Sequence, residues 1–219
     1  MNTHVPLLPM LFFTCSLGCT TESKESDDTG STTADDTAST DDGYTTYTHF
    51  PLDGDRSWTY LNEDVDYLLQ VGFSSAAPAS SGQSVKTFTY QNDSTGEALY
   101  SIDWSSNEDD GIHIHGHATV DASPTRYAAP IQVATARMQD GTTITSTVDG
   151  ATVTSTLQGM EPCPNMWTQD WSCLVFTIEG DSSLPFVGTW ALAADYGASS
   201  FGLDGSDGWM LLSTNWVPE

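Results

Sequence analysis

GIHIHGHATV, residues 111–120, places three of the chain's five histidines at alternate positions, His113, His115 and His117. Alternate residues of an extended strand share a face. If 111–119 is a strand, the three imidazoles line up and Ile112 and Ile114 point the other way. Neighbouring histidines at this spacing can share a Zn²⁺ or Cu²⁺ ion, because neutral imidazole nitrogen suits both metals. Asp103 is the candidate further ligand, or the acceptor that holds one ring in its tautomer. The same alternation also describes the polar face of an ordinary half-buried strand, and that reading needs no metal. No fourth ligand is identifiable, and Gly116 interrupts the run.

The element that positions these rings is a hairpin. EALYSIDWSS precedes NEDDG and then the histidine run. Pairing across that turn sets the isoleucines beside Trp104, Ile102 and Tyr100, and the histidines beside Asp103 and Ser101. A slip of one residue would put Ile against Asp, so the apolar pattern selects the register.

Beyond residue 50 the chain reads as mainly β. Short alternating or β-branched runs recur between Asp-Gly pairs at 53–54, 110–111, 140–141, 149–150, 204–205 and 207–208. Asp-Gly supplies the positive φ angles of tight hairpin turns. TTITSTV-DG-ATVTSTL, residues 142–157, is the clearest hairpin. Further strands are expected at 56–62, 65–73, 85–91, 97–105, 111–119, 129–136, 173–179, 187–194, 198–203 and 208–214. Roughly ten strands so closely spaced imply one antiparallel β domain, as a curved sheet, open barrel or sandwich. Trp58, Trp104, Trp190 and Trp209 are expected to anchor its core rather than form exposed sugar platforms.

The N-terminus carries a different message. Val5–Leu17 is mostly apolar and too short to span a bilayer as a helix. Ser16-Leu17-Gly18-Cys19 follows it and resembles the lipobox of bacterial lipoproteins. The resemblance implies a signal peptide over residues 1–18 and acylation of Cys19. Residues 20–43 contain eight acids, one Lys and no large apolar side chain, a composition that cannot offset its ordering entropy. The organisation expected is a signal peptide (1–18), a lipid-anchored, acidic, Ser/Thr-rich disordered linker (19–48) and a β-rich domain (49–219). With Cys15 removed and Cys19 acylated, Cys163 and Cys173 remain, and an oxidising compartment makes them a disulfide. The lipid anchor implies a bacterial cell-envelope address, at the outer membrane.

HFPLDGDRSWTY, residues 49–60, resembles the FPL-x-x-G-x-x-W-x-Y opening of a functionally uncharacterised group of secreted bacterial proteins and lipoproteins. Phe50, Pro51, Leu52, Gly54, Trp58 and Tyr60 carry the likeness, with one extra residue between Gly54 and the Trp. TWALAADYGASSFGLDGSDGWMLLS is similar to that group's closing strands, through Trp190, Ala193, Tyr196 and Gly197. The resemblance covers most of residues 49–214. It implies fold and address, not a reaction.

The net charge of −25, from 30 Asp and Glu against 5 Lys and Arg, argues against nucleic acid and anionic membrane surfaces as partners. HExxH, GxxxxGK[ST], GxGxxG and GxSxG are all absent from the sequence. The Asp-rich turns 107–111 and 204–208 lack the ligand spacing of a calcium loop and read as hairpin turns. The expectation is therefore a non-enzymatic, tethered β domain, without a cofactor, that fills a structural role or binds an unknown protein or envelope partner. A Zn- or Cu-binding protein built on His113, His115, His117 and Asp103 is the alternative. An envelope hydrolase or carbohydrate-binding module is the weaker one.

Overall fold

The computed structural model describes residues 43–76, 82–120, 122–148, 150–164, 170–202 and 208–216. The expected signal peptide, Cys19, the acidic linker up to residue 42 and most of the 204–208 turn lie outside them. Among the described residues the chain folds into fourteen strands and one short 3₁₀ turn, Tyr47–His49. Two strands are two-residue pieces, β1 (Tyr44–Thr45) and β8 (Arg137–Met138), and they pair with each other. The strand at Tyr44 puts ordered structure ahead of the expected boundary at His49.

The other twelve form one antiparallel sheet made of two meanders. The first comprises β2 (Ser57–Leu61), β3 (Leu69–Ser75), β4 (Lys86–Asn92), β5 (Ala98–Asn107), β6 (Gly111–Thr119) and β7 (Thr125–Ala134). The second comprises β9 (Thr143–Val148), β10 (Ala151–Pro162), β11 (Ser172–Glu179), β12 (Gly188–Ala193), β13 (Gly197–Phe201) and β14 (Trp209–Thr214). β2 and β14 join the meanders edge to edge, Leu61 opposite Met210 and Trp58 opposite Thr214. At the far side the backbone N–H of Gln132 on β7 donates to Ser146 Oγ on β9 at 3.1 Å. The sheet is thus curved and nearly closed. The twelve strands correspond to the alternating runs read from the sequence, and Gly111 and Gly150 take φ of 86° and 85° at two of the expected Asp-Gly turns.

Alternation sends apolar side chains inward. Trp104 on β5 meets Trp190 on β12 edge-on at 5.5 Å, Trp190 stacks on Phe201 at 5.0 Å, and Tyr60 meets Phe201 at 4.7 Å. All four strand tryptophans are buried, as the sequence requires of a core this aromatic. Phe50 does not belong to the sheet. It enters from the segment ahead of β2 and packs on Phe88 at 5.5 Å and Trp104 at 4.8 Å. The FPL opening therefore works as a plug. Polar residues such as Thr59, Thr87 and Ser101 occupy the outward positions of β2, β4 and β5. Apolar-in, polar-out is the reverse of a barrel that faces lipid.

One outward patch is apolar. Cys173 and Val175 on β11 lie opposite Ala193 and Ala191 on β12, and all four are buried. The Cys163–Cys173 disulfide returns the chain over them. Trp171 stacks on Tyr196 at 4.2 Å, and Ser199 Oγ donates to the Pro164 carbonyl at 2.6 Å. The expected disulfide thus ties Cys163 to β11 across a sequence separation of ten. Replacing both cysteines, Cys163→Ser with Cys173→Ser, is expected to lower stability by about 2–3 kcal/mol through the freed loop. Urea unfolding of the two proteins measures it.

Candidate functional site

The histidine strand departs from simple alternation at His115. β5 and β6 pair Ser105 with His113 and Trp104 with Ile114, then Asp103 with Gly116 and Ile102 with His117. His115 is the extra residue of a β-bulge between those pairs. A bulge puts two residues opposite one and reverses the facing of everything beyond it. His113 and His115 consequently share the outer face with Asp103 and Ser105, while His117 turns inward with Ile102. The expectation that all three imidazoles line one face is corrected.

β7 crowds β6 beside the bulge. A Cβ on Gly116 would stand 2.4 Å from the Thr125 carbonyl oxygen, so no side chain fits there. Inside, His117 Nδ1 and Tyr127 Oη share a 2.6 Å hydrogen bond, and both rings meet Phe186 edge-on at 6.3 and 6.5 Å. Outside, the His113 and His115 rings stand 6.4 Å apart. His115 Nε2 bonds Ser105 Oγ at 2.8 Å, and Asp103 is engaged by the Thr87 hydroxyl at 2.6 Å. Among the described residues no three His, Cys, Asp or Glu side chains are grouped to hold a metal ion.

Burial makes all three rings harder to protonate than free imidazole. The charge of His113 adds to this at His115, while Asp103 pulls His115 the other way and Asp110 does so at His113. His49, buried in the 3₁₀ turn after β1, is lowered for the same reason, against the pull of the Thr45 carbonyl and Asp195.

The Ser105–His115 pair has the contact of a nucleophile and its base. Ser105 is only 1 % exposed, however, and lines none of the depressions described below. The Ser105 hydroxyl holds the His115 ring at this contact.

Concave surface lies instead at the sheet's two ends, marked by the residues on either side of β2. Ahead of it, Arg56 borders an open depression of about 720 Å³ with Tyr47, Pro51, Asp53, Asp195 and Trp216. The Arg56 side chain is 3 % exposed and fully engaged. Its Nε donates to the Asp53 carbonyl at 3.0 Å, and NH2 to Asp53 Oδ1 at 2.7 Å. NH1 donates to the Asp195 carbonyl, and the Trp216 ring covers the guanidinium at 3.8 Å. Asp195 holds φ of 65°, a conformation L residues rarely adopt. Arg56 therefore pins the FPL segment to the β12–β13 turn, and nothing in the residue pattern singled it out. After β2, Asn62 borders a second depression of about 320 Å³, lined by Tyr67, Leu99, Tyr100, Thr119, Ser183 and Trp209.

Gly116→Ala is expected to cost about 1–3 kcal/mol, as overpacking against backbone does. Thermal unfolding checks it, and an unchanged midpoint would contradict the crowding account. Arg56→Met leaves the Asp53 and Asp195 carbonyls unpaired and is expected to cost about 1–3 kcal/mol. Asp53→Asn touches a residue whose side chain is 71 % exposed and is expected to cost under about 1 kcal/mol. Urea unfolding gives the order. The unfolded chain takes up imidazole protons near pH 6.5, whereas the folded protein resists them. Stability is then full above about pH 6.5 and is lost as pH falls through that value toward the lower folded ones, ahead of the carboxylates near 4. Melting points taken between about pH 7.5 and 5.5 should fall. The slope should flatten in a His113→Asn/His117→Asn variant.

Comparison with known proteins finds no matching family model, no matching curated protein and no matching solved structure.

Proposed function

We propose that this chain is a lipid-anchored protein of the bacterial cell envelope, held at the outer membrane, whose β domain works by non-enzymatic binding at one end of its sheet. The observation that carries this reading is the contrast between a sheet interior filled by aromatic side chains and the open depressions left at its two ends. A filled interior holds no cargo, and a polar outer face offers little to bury. A partner is left with the ends.

Two features support the address. The Cys163–Cys173 disulfide belongs to an oxidising compartment. The acidic stretch after Cys19 suits a tether, since like charges along a disordered segment extend it and hold the domain off the membrane. The metal reading draws no comparable support, because the bulge at His115 sends His117 to the opposite face from His113 and His115.

Mass spectrometry of protein extracted from membranes is expected to find Cys19 acylated as the N-terminal residue. Cys19→Ser is expected to move the protein out of the membrane fraction. A mature form beginning elsewhere, found in the soluble fraction, would contradict the anchored reading.

A further inference from the structure

The 720 Å³ depression ahead of β2 offers side chains that solvent reaches. Pro51, Leu52 and Trp216 line it half-buried, and Asp53 and Asp195 line it exposed. Phe50 and Arg56 also border it but are buried, so they give it shape rather than contact surface. Apolar surface left open to water gains by being covered. What covers it must also accept two carboxylates.

The charges narrow the occupant. Arg56 offsets Asp53 alone, through the contact to Oδ1 at 2.7 Å. Asp195 keeps its carboxylate exposed on a backbone held from both sides. Arg56 NH1 donates to its carbonyl, and its N–H donates to the Thr48 carbonyl at 2.9 Å. Asp55 stands exposed two residues after Asp53 and adds a further negative charge. Lys86 is held on Ser75 Oγ at 3.1 Å and does not line the depression. The chain also joins the domain at this end. Residues 20–43, with their eight acids, lead into β1 and then the 3₁₀ turn whose Tyr47 lines the depression. That acidic segment, a second copy of a chain of net charge −25 and an anionic membrane surface would each bring like charge to the carboxylates. Charge complementarity leaves a basic occupant that also carries apolar side chains.

We propose that the depression ahead of β2 docks a basic amphipathic segment of a partner protein, with a Lys or Arg side chain next to aliphatic ones. The cation meets the carboxylates of Asp195 and Asp53, and the aliphatic side chains cover Pro51, Leu52 and Trp216. This rests on the binding reading above and deepens it by naming the end used and the partner's chemistry.

The test is titration of the mature full-length chain with end-blocked Lys-Leu-Lys-Leu-Lys, followed by amide and indole NMR. Salt is kept at about 0.15 M, where charges more than about 8 Å apart are largely screened. Lys-Ser-Lys-Ser-Lys and Glu-Leu-Glu-Leu-Glu are the comparison peptides. The expected result is saturable shifts of the Asp195 amide and the Trp216 indole with the leucine-bearing basic peptide. The serine peptide should bind about fivefold or more weakly for want of apolar cover, and the acidic peptide should shift neither signal. Asp195→Asn keeps the backbone carbonyl that Arg56 uses, and Asn tolerates the left-handed conformation there. It should bind about two- to fivefold more weakly, the worth of one exposed ion pair. Asp93→Asn removes a charge past β4, at the opposite end of the sheet, and should bind as the native chain does. Asp195 and Trp216 signals that stay unmoved in the native chain at millimolar peptide overturn the proposal, and that result needs no variant to fold. Equal binding of the serine peptide, or equal weakening by Asp195→Asn and Asp93→Asn, overturns it too. Shifts of Trp216 on concentrating the protein alone would seat a second copy there and overturn it as well. Shifts confined to the Asn62 end would sink this assignment only, whereas shifts confined to the outer strands would also sink the end-binding reading. Acylation of Cys19 is read separately.

Discussion

The packing of Trp104 against Trp190 across the sheet, with Phe50 wedged beside Trp104, is the contact on which the rest of the molecule depends. Each aromatic side chain buries 150–250 Å² or so, and edge-on pairs add about 0.5–1.5 kcal/mol beyond that area. Twelve strands curl far enough to bring β5 against β12 only because these rings fill the space between them. Once they do, every strand has an inside and an outside, and the polar outer face follows. The interior leaves no room for a ligand. Concave surface is left at the ends, where Arg56 stands just ahead of β2 and Asn62 just past it.

The strands were legible because one rule, alternation against turn residues, governs them all. The Thr-rich hairpin closing at Gly150 and the isoleucine face of β6 follow from it directly. The bulge at His115 was not legible, since its cause lies in another strand. Thr125 of β7 approaches Gly116 closely beside the bulge, and the alternation of GIHIHGHATV does not show that approach. Gly116 was the available signal. Read as a weak point of the strand, it is in fact the place where a neighbouring backbone comes near.

The candidate site was less legible than the fold. Arg56 stands inside a stretch conspicuous for Phe50, Leu52 and Trp58, yet its importance comes from the Asp195 carbonyl and the Trp216 ring, well over a hundred residues away. Asn62 reads in sequence as one more turn residue. Only the fold buries its amide, with Oδ1 spent on Asp64 and Nδ2 left unpaired. The fold isolates these polar groups, and single-residue patterns do not report isolation.

The histidines give the sharpest division between a scaffold and a metal centre. His117 serves the interior with Tyr127, and His115 serves the outer face with Ser105. Long-range ¹H–¹⁵N NMR of the imidazoles, recorded during a zinc titration at neutral pH, addresses this most directly. Neutral rings, each in one tautomer, are expected, with His117 unmoved at stoichiometric zinc. Simultaneous shifts of His113, His115 and His117 at one equivalent of metal would contradict this division.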